Sequence, residues 1–152
     1  MGAMPMSTDW IRRIAEENKK KREDEERQEH AEKERRRQFD RGADALWTEV
    51  TAELALAVEN FNNASGVKVV TLNHAGESMK LSRTRKSLDI TLDRNRQDIQ
   101  VRHSPPLPGM DGPERRFAIK LGDRGAVIQP SGYPELSIDT FLEQVLAGFF
   151  KD

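Results

Sequence analysis

Three histidines, His30, His74 and His103, are the side chains of this sequence whose ordinary titration falls near neutral pH. No two stand three or four residues apart, and no H-E-x-x-H occurs, so no pair shares a helical face to grip a metal. His30 sits beside Glu29 and near Glu32 in a charged helix, His74 in a turn and His103 at a strand end, where solvated or capping roles are expected. The absence of cysteine removes thiolate ligands, thiol nucleophiles and disulfides together. Neither G-x-x-x-x-G-K-[ST] nor G-x-G-x-x-G is present, and the Gly-Asp-Arg-Gly stretch at 122–125 lacks the following helix that a phosphate cradle needs. It reads as a hairpin turn. Carboxylates are numerous, but Asp89 and Asp93 fall on the polar face of their strand, with no apolar surroundings to raise a pKa. These residues predict a protein that is not an enzyme and has no metal or cofactor.

Two other groups of residues fit binding rather than catalysis. Arg83, Arg85 and Lys86 cluster around one turn, and Arg94, Arg96 and Arg102 belong to the next hairpin. Such a basic rim suits phosphate contacts. Asp89, Asp93 and Asp98 interleave with it, however, and no aromatic on the polar face is available to stack a base. The second group is Trp10, Ile11 and Ile14, which with Ala15 form a short apolar face next to Arg12 and Arg13. It lies about 40 Å along a helix from the next apolar stripe, at ~1.5 Å per residue. An isolated patch at the end of a polar rod suits docking to a protein partner. The Pro105-Pro106-Leu107-Pro108 run satisfies P-x-x-P, but inside a loop its plainer role is to stiffen a connection.

The elements that must position these groups follow from periodicity. Ser7 or Thr8 can cap a helix whose first turn carries Asp9. From Glu17 to Gln38 only Ala31 is apolar, and the stretch contains no Gly, Pro or β-branched residue, so helix propensity is high. Glu16–Lys20, Glu17–Lys21, Glu23–Arg27, Glu29–Lys33 and Glu32–Arg36 are acid-before-base pairs at i,i+4. A heptad seam started at Ile11 is apolar at both ends and polar through its middle, so an ordinary two-stranded coiled-coil seam fails there. Beyond it, Phe39, Ala43, Leu46, Trp47, Val50, Leu54, Ala57, Val58 and Phe61 recur in steps of three and four. Gly42 is the point where this helix can kink, and Gly66 is its left-handed terminator.

The period then changes to two. Val67, Val69 and Thr71 form one alternating run, followed by Met79 and Leu81, then Leu88, Ile90 and Leu92. Ile99, Val101 and His103 come next, then Phe117, Ile119 and Leu121, and a short run at 126–129. Turn-like breaks at 74–77, 93–96 and 122–125 are too short for crossovers, whereas 104–114 is a longer Pro/Gly-rich loop. Ser137 caps a last helix, with Leu136 and Phe141 placed as a hydrophobic staple.

The expected fold is therefore α+β: a long charged N-terminal helix, an antiparallel meander of five or six strands, and a C-terminal helix packed on one sheet face. The expected division is 1–6, a cloning-derived leader and start; 7–38, a charged helical arm; and 39–152, a small domain with helix 39–63, sheet 67–129 and helix 137–150. Charge sets limits on partners. Residues 1–66 carry 12 basic against 15 acidic side chains and residues 67–152 carry 13 against 11, so no global field gathers nucleic acid or an anionic membrane. No apolar run approaches the ~18 residues of a membrane span, and the lack of cysteine fits the cytoplasm. The leading expectation is a non-catalytic interaction or assembly protein whose arm docks, through Trp10, Ile11 and Ile14, to a protein partner or to a second copy. Two alternatives stand beside it: a nucleic-acid or ribosome-associated factor using the basic hairpins, and a small-ligand binder with a pocket between sheet and helices.

Overall fold

A computed structural model describes residues 8–109, 112 and 114–152. Expectations for 1–6 and for Ser7 as a cap lie outside these residues. The described residues form two helices and six strands, and the chain divides into two compact units, one ending at Gln38 and the other Phe39–Asp152.

Helix α1 runs from Asp9 to Ser65 without a break, so Gly42 does not interrupt it. Between Thr8 and Gln38 no residue is buried. The five expected i,i+4 pairs do not close in this segment. Arg27 bonds Asp24 at 3.0 Å and Arg37 bonds Glu34 at 3.1 Å, both at i,i+3. Exposed long side chains gain little from a fixed geometry, so propensity rather than ion pairing accounts for the helix.

In the second unit, α1 buries Phe39, Ala43, Leu46, Trp47, Val50, Leu54 and Val58, one face at helical spacing. Gly42 has a packing role that the sequence did not reveal. A Cβ placed there would stand 3.0 Å from the Ala126 Cβ and 3.2 Å from the Ala126 nitrogen, so glycine lets the helix lie close against the last hairpin. Gly66 ends α1 with φ +77°, as its position predicts.

Strands β1 (Thr71–Ala75), β2 (Ser78–Arg83), β3 (Lys86–Asp93), β4 (Asp98–Ser104), β5 (Glu114–Gly122) and β6 (Gly125–Ile128) pair in sequence order, all antiparallel. The sheet thus starts at Thr71 rather than at 67. Asn62 supplies the physical reason. Its Oδ1 accepts from Val69 N and Val70 N, both at 2.9 Å, and its Nδ2 donates to Val70 O at 3.0 Å. The backbone groups that a strand neighbour would use are occupied by a helix side chain. At its other end the first strand extends through 74–75, and only Gly76 and Glu77 turn, with Gly76 at φ +59°.

The inward sheet face carries Met79, Leu81, Leu88, Ile90, Leu92, Ile99, Val101, Phe117, Ile119 and Ile128, all buried. Leu121, expected on this face, is 44% exposed near the end of β5. Helix α2, Ile138–Phe150, covers the sheet with Phe141, Leu142, Val145, Leu146 and Phe149, joining α1 and the strands in one apolar cluster. Phe117 and Phe141 meet edge to face at 4.8 Å, while Phe61 stacks on Phe150 at 4.2 Å. Ser137 caps α2 as expected, its hydroxyl accepting from Thr140 N at 3.1 Å. No helix among the described residues is long and apolar enough to cross a membrane.

Candidate functional site

The basic residues of the hairpins differ sharply in what surrounds them. Arg83 Nη1 donates to Phe149 O at 3.0 Å and Phe150 O at 2.6 Å, and Nη2 bonds Asp152. Lys86 Nζ donates to Gly148 O at 3.3 Å and to Lys151 O. Helix α2 has no basic residue in its own last turn, so the β2–β3 hairpin supplies the cations for its terminal carbonyls. Arg94 is held by Asp40 at 3.3 Å, Asp44 and Glu77, tying α1 to the β1–β2 and β3–β4 turns. These carboxylates, Asp44 first and then Glu77, hold its guanidinium pKa above the ordinary arginine value against the opposing effect of burial. Arg85, Arg96 and Arg102 are exposed and form no ion pair among the described residues. The six candidates therefore separate into three cations matched by oxygens of this chain and three that face solvent.

A seventh basic residue, Arg116, completes the charge pattern. Arg116 contacts Asp98 at 3.2 Å, Glu114 at 2.8 Å and Asp93 at 3.6 Å across β3, β4 and β5. Desolvation pulls its pKa down, but the bond to Asp98 and the charges of Asp98, Glu114 and Asp93 outweigh it and raise the value.

At the arm, Trp10, Ile11 and Ile14 are 50%, 51% and 47% exposed. Their spacing of one and four residues sets them within one side of the helix. Arg12 N donates to Thr8 O at 2.9 Å, so the patch lies within the first turns.

His103 corrects the expectation of solvated histidines. It is only 1% exposed, because strand alternation from Ile99 and Val101 carries it onto the inward face opposite Leu88. Its Nε2 has no hydrogen-bond partner among the described residues. Burial first, and the positive charge of Arg115 second, lower its pKa, so both favour the neutral imidazole. The alternation itself was the signal: a residue two positions beyond Val101 has to share its face. His74, by contrast, is exposed, with Nε2 2.9 Å from Gly76 O.

A cleft of about 590 Å³ opens beside His103, between the adjoining ends of β3 and β4, the 105–108 loop and the last turn of α2. Leu107 closes one side against Gly148, where an added Cβ would stand 2.8 Å from Leu107 Cδ1. No group of three or more His, Cys, Asp or Glu among the described residues is arranged to hold a metal ion. Compared with protein-family models, with curated proteins and with solved structures, the chain matches none of them.

Proposed function

We propose that this is a non-catalytic assembly protein in which the arms of two copies pair antiparallel. The observation that carries this reading is the exposed apolar tip, Trp10, Ile11 and Ile14, at one end of a helical segment with no buried residue as far as Gln38. The charge pattern supplies the occupant. Residues 12–22 carry six basic and two acidic side chains, whereas residues 23–34 carry seven acidic and two basic ones. An antiparallel pair centred near residue 23 lays each basic block on the partner's acidic block, twice by symmetry. The same register brings Trp10, Ile11 and Ile14 against the partner's 31–36 stretch. Ala31 and the aliphatic stems of Arg35 and Arg36 offer apolar surface there. A parallel pair would oppose like blocks and is disfavoured.

Light scattering at micromolar concentration tests this with a point variant of the full chain. Trp10→Ser combined with Ile14→Ser leaves the Phe39–Asp152 core untouched and is expected to reduce the mass toward that of one chain. If wild-type protein already scatters as a single chain in low salt, the proposal fails. The nucleic-acid alternative has less to draw on, since Arg83, Lys86 and Arg94 are matched by carbonyl and carboxylate oxygens, leaving Arg85, Arg96 and Arg102 to offer free charge.

A further inference from the structure

We infer that the cleft beside His103 binds a small, neutral, largely apolar molecule through a single hydroxyl group. Three observations lead there. The cleft has the volume of a small-molecule site, about 590 Å³, and its walls include Pro105, Pro106, Leu107 and Phe149. Among the residues around it, only His103 and Phe149 are buried, so these two form the inner wall. His103 also brings a buried nitrogen with no hydrogen-bond partner among the described residues, a cost that a native fold keeps only where something satisfies it.

The chemistry of the ligand follows from the surroundings. Neutral imidazole presents Nε2 either as N–H or as a bare acceptor, and a hydroxyl can accept from the first or donate to the second. A hydroxyl suits both tautomers through a single oxygen atom. An anionic head is not selected. Lys86 is already engaged by Gly148 O and Lys151 O, and Lys151 and Asp152 bring opposite charges to the same rim. A cationic head would meet Lys86 and, through the imidazole, the field of Arg115. A neutral apolar body with one hydroxyl remains.

The test uses 4-methylphenol and toluene, which share a ring and a methyl group and differ in the hydroxyl. Both are titrated into the full-length, isotopically labelled protein, with NMR readout of the His103 imidazole nitrogens and the Leu107 methyls. The expected result is saturable movement of both sets of signals with 4-methylphenol, and binding of toluene weaker by about tenfold, the worth of one hydrogen bond. His103→Leu should abolish that preference while leaving toluene binding in place. Should His103→Leu fail to fold, the wild-type comparison stands by itself. Equal binding of the two probes, or no movement of the His103 nitrogens at millimolar 4-methylphenol, overturns the inference. The second result would assign the unpartnered nitrogen to a structural water only.

Discussion

Asn62→Ala removes three hydrogen bonds where the chain leaves α1 and enters the sheet. The Asn62 side chain accepts from Val69 N and Val70 N and donates to Val70 O. At a net ~0.5–1.5 kcal/mol each, their loss costs about 1.5–4.5 kcal/mol. Val70 is 1% exposed, so its freed N–H and C=O are poorly reached by water and the upper part of that range is expected. Urea unfolding followed by far-UV circular dichroism measures the change. With a slope of ~1–3 kcal/mol per molar, a loss of about 3 kcal/mol lowers the midpoint by roughly 1–3 M with the slope unchanged. Asn63→Ala is the control, because the Asn63 side chain is exposed and makes no hydrogen bond among the described residues. If the two variants unfold within about 0.5 kcal/mol of each other, the clamp is not what holds this junction.

Three further predictions concern elements that position the two candidate sites. Gly42→Leu should destabilise by about 1–3 kcal/mol despite leucine's better helix propensity, because the new side chain meets Ala126 backbone and Leu121; calorimetry reads the shift. Arg83→Ala leaves the Phe149 and Phe150 carbonyls without their cation and should cost about 1.5–3 kcal/mol, with faster amide exchange in the last turn of α2. For His103, whose pKa is lowered on folding, the unfolded chain takes up the proton more readily. Its contribution to stability is therefore complete above the unfolded value near 6.5 and is lost as pH falls below it, by at most ~1.4 kcal/mol per pH unit. Denaturation midpoints between pH 7 and pH 5 should show this slope, and His103→Leu should flatten it.

Long periodic segments of this fold were legible in the sequence because burial imposes its own spacing. The α1 stripe from Phe39 to Val58, the alternation of Leu88, Ile90 and Leu92, and the Ser137 cap all follow from one-dimensional pattern. What escaped the sequence depended on partners distant in the chain. Val67 and Val69 read as strand, but Asn62 takes the backbone hydrogen bonds of Val69 and Val70, and nothing local distinguishes that asparagine from Asn63. Gly42 read as a weak point in the helix, whereas its purpose depends on Ala126, more than eighty residues away. At the sites the division is similar. Trp10, Ile11 and Ile14 were visible because the stretch that follows them, from Glu16 to Gln38, holds Ala31 as its one apolar residue. The buried character of His103 was present in its alternation but masked by its residue type. The roles of Arg83 and Lys86 as caps for α2 required knowing which hairpin lies at that helix's end.

The most direct test of the assembly reading mixes two charge-reversed chains in a sedimentation-equilibrium experiment. One carries Lys19→Glu, Lys20→Glu and Lys21→Glu in the basic block, and the other Glu23→Lys, Glu25→Lys and Glu26→Lys in the acidic block. In low salt the wild-type chain is expected at twice its 17.3 kDa mass, and each reversed chain alone at the mass of one chain, since like blocks now oppose each other. Mixing the two should restore the doubled mass, and salt at which the Debye length falls to ~3 Å should reduce it again. A wild-type chain that sediments at 17.3 kDa in low salt, or a mixture that stays monomeric, would contradict antiparallel pairing of the arms.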